Sequence, residues 1–441
     1  MTIEPKKHNG NDVISTVRSA LPTMIVFCHL RWDFVYQRPQ HLLSRLAQFY
    51  RILVVEEPFF HEGESFLKAY DPCPNLTVLQ PHTPVHAPGF HDDQIAAIQP
   101  LLAKIVPANE DPIVWFYTPM ALPLLQSFNP SLVVYDCMDE LSAFKNAPAQ
   151  LLQRESDLLN TADLVFTGGP SLYQAKRERH GNAHCFASSV DVAHFSRALK
   201  RDQAHPLQQA LPQPRLGFYG VIDERFDTDL LRALADAHPE WQLIMVGPVV
   251  KIDPANLPRN PNIHYMGQAT YDELPAYLAA WDVCLMPFAL NESTKFISPT
   301  KVLEYMAAEL PIVSTNITDV TQPYGHIVSI AHSPEEFAKA CEQALAITQS
   351  ERTTMREQMR GVVKATSWQT TAEQMFQLMK TNQAAKPAAQ LAQVAAKARW
   401  AHNAPTRSSS STPAFTVPTM AMDKIMAKRS EVEVLSPAAG D

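Results

Sequence analysis

The sequence predicts an α/β protein built from two doubly wound, mostly parallel sheets, and three observations support this class. Short apolar runs alternate with amphipathic stretches along most of the chain, as strands and helices do when helices cover both faces of a parallel sheet. A polar, proline-bearing stretch at residues 199–214 divides the chain into two such series. The 441 residues also suffice for two ordinary domains of about 150 residues each, with a remainder.

The first series predicts a domain over residues 22–200. Its apolar runs predict strands at residues 24–28, 51–57, 76–79, 113–117, 132–136 and 164–167. The stretches between them predict helices at residues 37–49, 93–105, 151–160 and 170–180. Ligands of doubly wound sheets bind at the carboxyl ends of strands, so we expect binding residues in the loops that follow these strands.

After a linker at residues 201–214, the second series predicts a domain over residues 215–365. Strands are expected at residues 216–220, 241–246, 263–266, 283–288, 312–314 and 327–330. Helices are expected at residues 228–238, 271–280, 299–310 and 334–347, and over most of 350–380. Residues 1–21 are polar and predicted to be loose. From residue 383 the composition turns to Ala, Gln, Ser, Thr and Pro, which predicts a mostly disordered tail over 383–441.

Composition and charge exclude several classes of protein. The formal net charge of −8 argues against nucleic acid as a general partner. No apolar run approaches the roughly 18 residues of a spanning helix, and the N-terminus lacks the apolar core of a signal peptide. The six cysteines have no paired metal spacing and are interpreted as reduced core residues. We therefore expect a cytoplasmic protein without a metal site.

The most informative stretch is residues 298–315. Ser298 is predicted as the N-cap of a helix and Pro299 as its first residue, where a missing N–H costs nothing. Lys301 adds a mobile positive charge, and Glu304 lies one turn into the helix. A polar loop, a helix start and these side chains together suit a diphosphate or a sugar. The alternative is an ordinary β-loop-α-β unit in which Glu304 is a solvated helix carboxylate.

Familiar nucleotide and hydrolase motifs are missing from the sequence. With 13 glycines, the chain contains neither the glycine-rich dinucleotide fingerprint nor a phosphate-binding P-loop, and it has no GxSxG or HExxH motif. We therefore expect the chemistry to come from residues gathered in a cleft between the two domains.

Four segments resemble glycosyltransferases of the GT-B fold, of the family 4 type known as glycosyl transferases group 1. Residues 298–315 resemble the donor motif of that group, residues 217–229 its phosphate loop, and residues 262–281 the boundary of its base pocket. Ser367-Trp368 resembles the point where a last helix, here residues 366–382, crosses back to the first domain. Residues 32, 37–41 and 135–140 suggest a bacterial cell-envelope or exopolysaccharide branch. The resemblance covers residues 22–380 and implies two Rossmann-like domains facing a cleft.

The resemblance implies roles for residues of the second domain. Glu304 is expected to bind the donor ribose, while Lys301 and Arg225 neutralise the leaving diphosphate. Further donor contacts are expected at Ser298, Thr300, Gly220, Gly267, Gln268 and Glu292. The chain also departs from the group pattern. Phe296 stands where a first glutamate is usual, Glu309 where a glycine is usual, and Val221 where an arginine is usual.

In the first domain, Asp136 and Asp139 end a predicted strand and are expected to face the cleft. Either carboxylate could orient the acceptor hydroxyl or stabilise oxocarbenium-like charge; the alternative is a strand-end turn carboxylate. Acceptor contacts are expected from Arg31, Trp32, Asp33 and Arg38, which follow the first strand and open the first helix.

The implied function is metal-independent transfer of a hexose, with retention, from a UDP- or GDP-sugar. The expected acceptor is a glycan or lipid-linked component of the cell envelope or an exopolysaccharide. The protein is expected in the cytoplasm, with peripheral contact to the inner membrane as an option. Two alternatives stay open: another GT-B reaction, such as that of a nucleotide-sugar epimerase or a phosphorylase, and an inactive nucleotide-sugar-binding or scaffold protein.

Overall fold

A computed structural model describes residues 21–107, 109–145 and 147–385 of the chain. The predicted loose N-terminus, apart from Leu21, and the predicted tail beyond Ala385 lie outside the described residues. The predicted α/β class with parallel sheets is confirmed. Within the described part, no helix combines the length and the apolar character that crossing a membrane requires.

The first sheet has nine strands. They are β1 (Thr23–Cys28), β2 (Arg51–Glu56), β3 (Phe59–Phe60), β4 (Phe66–Cys73), β5 (Leu76–Thr83), β6 (Ile113–Phe116), β7 (Leu132–Cys137), β8 (Leu164–Thr167) and β9 (Ala183–Cys185). Their order is β3-β5-β2-β1-β6-β7-β8-β9, and all neighbours in it are parallel. Only β4 is antiparallel, to β5. Strands β3, β4 and β9 were not predicted, because they are short or half-exposed and lack a continuous apolar run.

The second sheet has six strands, all parallel. They are β10 (Arg215–Tyr219), β11 (Gln242–Val246), β12 (Ile263–Gly267), β13 (Val283–Met286), β14 (Ile312–Thr315) and β15 (Ser329–Ala331), in the order β12-β11-β10-β13-β14-β15. From β10 the chain adds β11 and β12 on one side of the sheet, and it then returns to add β13, β14 and β15 on the other side. This switch point is where ligands bind in doubly wound folds.

Twelve α-helices accompany the sheets in the described part of the chain. In the first domain they are α1 (Arg38–Leu46), α2 (Asp92–Leu102), α3 (Leu151–Thr161), α4 (Pro170–Arg177) and α5 (Val192–Phe195). In the second they are α6 (Thr228–Ala237), α7 (Leu274–Leu278), α8 (Lys301–Ala307), α9 (Thr318–Tyr324), α10 (Pro334–Leu345) and α11 (Gln349–Lys364). The twelfth, α12 (Trp368–Ala385), follows α11 after a short break.

The last helix returns to the first domain, as predicted. Trp368 stacks on His41 with 4.7 Å between ring centroids, and Phe376 stacks on Phe49 at 4.0 Å. Trp368, Met375 and Met379 are fully buried in the core beneath the first sheet. The helix therefore ties the end of the second domain to the first by apolar packing.

Helix α8 begins later than the sequence predicts. Its first residue is Lys301, Thr300 precedes it, and neither Ser298 nor Thr300 makes a side-chain capping hydrogen bond. Ser298 instead belongs to the preceding loop, where its carbonyl accepts a hydrogen bond from the Ser188 hydroxyl of the first domain at 3.3 Å. The predicted N-cap is therefore wrong, because contact between the domains holds Ser298 outside the helix.

The predicted linker at residues 201–214 is packed against the second domain. Gln208 is fully buried, accepts a hydrogen bond from Trp281 Nε1 at 2.7 Å and donates one to the Tyr277 carbonyl at 3.2 Å. The stretch is polar in sequence, but these bonds satisfy its buried amide.

Candidate active site

A cavity lies between the two sheets and is lined by both domains. Its walls come from the loops after β7, β10, β11 and β12 and from the start of α8. Asp139 lines it from the first domain, and Gly220, Gln268, Lys301 and Glu304 from the second. The carboxyl ends of both sheets thus meet at one space, which is where doubly wound folds bind ligands.

Lys301 contributes an unpaired positive charge to this cavity. Among the described residues, its ammonium group makes neither a hydrogen bond nor an ion pair. Its nitrogen lies 5.6 Å from the centre of the Phe218 ring and 6.0 Å from that of Phe288. Burial lowers the pKa of Lys301, although nearby Glu304 acts in the opposite direction. A half-buried cation without a counter-ion is suited to binding an anion.

Glu304 lies one turn into α8 and is only 7% exposed. It accepts a short hydrogen bond from the Tyr219 hydroxyl at the end of β10. Burial raises the pKa of Glu304 to about 6, while the Tyr219 bond and the Lys301 charge oppose that rise. The carboxylate faces the cavity and can accept hydrogen bonds from ligand hydroxyl groups.

Arg225 also lines the cavity but is already paired. Its guanidinium binds Asp223 with two nitrogens, Nη2 to Oδ2 at 2.7 Å and Nε to Oδ1 at 3.0 Å. It also lies over the ring of Phe144 from the first domain, 5.3 Å from the centroid. Arg225 is therefore a fixed positive group, whereas Lys301 is a free one.

The other predicted donor residues divide into two groups. Ser298, Thr300, Gly220 and Gln268 line the cavity. Gly267 lies outside its lining and adopts a left-handed backbone with φ +75°. Glu292 is exposed in a 3₁₀ turn and also lies outside the lining, so its contact with the donor sugar stays a prediction.

Asp136 is buried behind the cavity and does not face it. It is fully buried, and Arg38 holds its carboxylate at 2.9 Å through Nη2 and 3.0 Å through Nε. Arg38 itself lines the cavity, and its third nitrogen donates to the Phe186 carbonyl at 2.6 Å. The expectation that Asp136 faces the cleft is therefore wrong, because its oxygens are occupied by Arg38. Asp139, three residues on, does line the cavity.

The other three predicted acceptor residues lie outside the cavity lining. Arg31 pairs with Glu56 at 3.5 Å and stacks over the ring of Phe59 at 3.7 Å. The backbone N–H of Trp32 donates to Glu56 at 2.7 Å, and Asp33 is exposed. The loop after β1 thus packs against the chain that follows β2, which turns these residues away from the cleft.

Two aromatic residues of the cavity wall were not predicted as site residues. Tyr36 of the first domain and Tyr271 of the second stack with 4.5 Å between ring centroids, and both line the cavity. Single tyrosines in loops carry no motif, so only their meeting across the domains shows their position. Among the described residues, no group of three or more His, Cys, Asp or Glu is arranged to hold a metal ion.

Two facing parallel-sheet domains and a last helix that crosses back define the GT-B fold, and comparisons with known proteins agree. Residues 213–346 match the family described as glycosyl transferases group 1. TuaH of Bacillus subtilis (strain 168), for which a role as a teichuronic acid biosynthesis glycosyltransferase is proposed, is 27% identical over 296 residues. That alignment spans 62% of this chain and 73% of TuaH.

Solved structures share the fold at low sequence identity. Sucrose-phosphate synthase from Thermosynechococcus elongatus superposes with a TM-score of 0.66 at 17% identity, over 83% of this chain and 100% of that chain. A UDP-forming trehalose-phosphate synthase from Burkholderia vietnamiensis gives 0.61 at 10%, over 82% and 99%. Anabaena HepE, solved with UDP and glucose, gives 0.58 at 17%, over 81% and 99%. The fold is thus GT-B, residues 213–346 are similar to the glycosyl transferases group 1 family, and together these findings support a hexosyltransferase.

Proposed function

We propose that this enzyme transfers a hexose from a UDP- or GDP-sugar to a cell-envelope or exopolysaccharide acceptor, with retention and without a metal ion. The observation that carries the proposal is that Lys301 and Glu304 both line the cleft, one turn apart on α8, and that Lys301 has no ion-pair partner among the described residues. A cation for a diphosphate beside a carboxylate for ribose hydroxyls is the chemistry that a nucleotide-sugar donor requires.

The donor diphosphate would lie against Lys301, close to the Ser298 and Thr300 hydroxyls. As the sugar–phosphate bond breaks, negative charge grows on the leaving phosphate, and the Lys301 ammonium group stabilises it. Because a side chain supplies this charge, the proposal needs no metal. The name of the trehalose-phosphate synthase neighbour, which is UDP-forming, and the UDP bound to Anabaena HepE support a uridine nucleotide.

The acceptor would approach from the first domain, where Asp139 lines the cavity. The acceptor oxygen forms a bond to the anomeric carbon on the face from which the phosphate departs, and its proton passes to the leaving phosphate oxygen. This front-side displacement requires no carboxylate nucleophile. The relationship to TuaH supports a cell-wall polymer as acceptor. We assign the reaction to the cytoplasm, at the inner face of the membrane where lipid-linked acceptors occur.

Thermal unfolding in the presence of UDP, GDP, ADP, TDP and their common sugar conjugates tests the donor assignment. We expect one of the UDP or GDP series to raise the unfolding temperature, because a ligand that binds only the folded state stabilises it. Lys301→Met should lose most of this shift, while Lys339→Met, at an exposed position on α10, should keep it. The absence of a shift with every nucleotide would overturn the proposal.

Once a donor is known, NMR of the product anomer tests retention. A product with the inverted anomeric configuration would overturn the proposal of retention.

A further inference from the structure

The last residue of β10 is a tyrosine whose hydroxyl contacts the carboxylate of the cavity. Tyr219 is 3% exposed, and its hydroxyl donates a short hydrogen bond to Oε2 of Glu304, which is 7% exposed. Both residues line the cavity. A phenol has a single proton to donate, so Tyr219 commits that proton to Glu304. When Glu304 is ionised, the bond is charge-assisted and therefore of the stronger kind.

Aromatic packing fixes the ring of Tyr219. The ring lies edge-on to Tyr305 with 5.1 Å between ring centroids, parallel to Phe195 at 6.3 Å and tilted against Trp281 at 6.0 Å. The backbone N–H of Tyr219 also donates to the Tyr305 hydroxyl at 3.3 Å. Neighbouring side chains of α8 therefore accept two hydrogen bonds from Tyr219. Because packing holds the ring, the hydroxyl in turn fixes the place of the Glu304 carboxylate.

The residue after Tyr219 makes room for the other charged side chain of α8. Gly220 has φ +139°, a conformation that favours glycine, and an added Cβ there would overlap the end of the Lys301 side chain. Two successive residues at the end of β10 thus act on both Lys301 and Glu304. Gly220 leaves space for the ammonium group, and Tyr219 holds the carboxylate.

The protonation state of Glu304 depends on the groups around it. Its charge acts on the pKa of Tyr219 from β10, of Lys301 and Tyr305 on α8, and of Tyr271 beyond β12. Burial raises the pKa of each of these tyrosines, so their hydroxyls stay protonated near neutral pH. The bond from Tyr219 favours the ionised form of Glu304 and so opposes the rise in its pKa to about 6 that burial causes. Without this bond, the pKa of Glu304 should be higher.

We propose that Tyr219 is the positioning residue of the donor site: its hydroxyl occupies Oε2 of Glu304 and holds the carboxylate so that Oε1 accepts the ribose hydroxyl groups. This role rests on the proposed function, in which Glu304 binds the ribose of the donor. Tyr219 acts through Glu304 rather than on the reacting atoms. The preference of the enzyme for ribose over deoxyribose therefore depends on the hydroxyl of Tyr219.

Calorimetric titration of the full chain tests this role with UDP or GDP, whichever raises the unfolding temperature, and with its 2′-deoxy and 3′-deoxy analogues. The wild type should bind the ribonucleotide about tenfold more tightly than at least one analogue, the effect of one hydrogen bond to a charged group. Tyr219→Phe keeps the packed ring and should lose most of this preference. Tyr265→Phe is the matched control, since its hydroxyl donates to the Pro258 carbonyl at 3.2 Å and the residue lies outside the cavity lining. It should keep the wild-type preference.

A pH series gives a readout that a purely structural role would not change. The nucleotide affinity of the wild type should rise with pH through about 6, where Glu304 ionises. In Tyr219→Phe the midpoint should move to higher pH, because the carboxyl group loses a bond that favours its ionised form. Tyr265→Phe should keep the wild-type midpoint. In a Glu304→Ala background, Tyr219→Phe should have no further effect on the preference for ribose, because Tyr219 acts only through Glu304.

The outcomes separate this role from the proposed function. If the wild type binds no nucleotide, the proposed function fails. If it binds the nucleotide but does not distinguish ribose from either deoxyribose, Glu304 is not the ribose contact and the role of Tyr219 is overturned. An unchanged preference and an unchanged pH midpoint in Tyr219→Phe would also overturn the role. So would an equal loss of preference from Tyr219→Phe with and without Glu304, a comparison that holds even if Tyr219→Phe lowers the stability of both chains.

Discussion

Asp319 of the second domain caps a helix of the first. Its Oδ1 accepts a hydrogen bond from the Ser171 backbone N–H at 3.1 Å and a second, short one from the Ser171 hydroxyl. Helix α4 begins after Gly169, which has no side chain for capping, so Asp319 supplies the missing acceptor from the opposite domain. An added Cβ at Gly169 would overlap Asp319 and Ser298. This contact therefore holds the loop of Ser298 in place while it joins the domains.

Replacing Asp319 should open the cleft. In Asp319→Ala the first turn of α4 loses its cap, a loss typically worth about 1 kcal/mol, and the two domains lose a direct link. We expect a larger radius of gyration in small-angle X-ray scattering and weaker nucleotide binding than in the wild type. Gly169→Ala should act in the same direction through steric overlap. Asp229→Ala, at an exposed position, serves as the control. An unchanged radius in both variants would show that this contact does not hold the domains together.

Replacing Lys301 should lower the nucleotide affinity without lowering the stability of the protein. Burial disfavours its charge in the empty enzyme, so Lys301→Met removes that cost and should unfold at the wild-type temperature or above it. Nucleotide affinity should fall about tenfold or more, because a charge-assisted hydrogen bond contributes roughly 1.5–3 kcal/mol. Calorimetric titration and thermal unfolding measure the two effects. A Lys301→Met enzyme with undiminished affinity would remove Lys301 from the donor site.

Donor binding should depend on pH through Glu304. Its pKa is raised to about 6 by burial, so the carboxylate that accepts ribose hydroxyls forms only as the pH rises through that value. The affinity for a UDP-sugar should therefore increase from below to above pH 6. Stability should change in the opposite sense, since a raised carboxyl pKa favours the folded state at low pH and this contribution is lost as the pH rises to about 6. Glu304→Gln should bind weakly and without this pH dependence. A wild-type affinity that is flat across pH 6 would contradict the assignment.

Asp136 should contribute strongly to the stability of the folded protein. The Asp136–Arg38 pair is buried, with side chains 0% and 3% exposed. Removing one partner of such a pair leaves an uncompensated charge and costs about 3–5 kcal/mol, so Asp136→Ala should unfold at much lower urea concentrations. The exposed Arg232–Asp229 pair is a matched comparison, and its loss should cost well under about 1 kcal/mol. Similar costs for both pairs would show that the buried contact is not structurally important.

Glu309 occupies a position that favours glycine. It follows α8 with φ +55°, in the left-handed region, and its carboxylate binds Arg360 of α11 at 2.6 and 2.9 Å. Glu309→Ala loses the ion pair and keeps the unfavourable backbone, whereas Glu309→Gly loses the same pair without that cost. The glycine variant should therefore be about 1 kcal/mol more stable than the alanine variant in urea unfolding. A more stable alanine variant would contradict this account.

The sequence was sufficient for the class of fold, and it indicated that Lys301 and Glu304 lie in a cleft between the domains. Apolar runs and helical periodicity are local properties, so most strands and helices could be predicted with ends in error by a few residues. Lys301 and Glu304 were also predictable as neighbours, because one short helix carries both. The edge strands β3, β4 and β9 were not, since half-exposed strands lack a continuous apolar run.

Only the tertiary structure decided which polar side chains remain free for a ligand. Arg38 and Asp136 are 98 residues apart in the sequence, and Ser171 and Asp319 are 148 apart. No local pattern shows that Asp136 is bound by Arg38, or that Lys301 has no partner among the described residues. A residue's availability depends on every group packed around it, and those groups come from distant parts of the chain. The sequence by itself determined the class of fold and the helix that carries Lys301 and Glu304, while packing between the domains determined which charges are paired and which face the cleft.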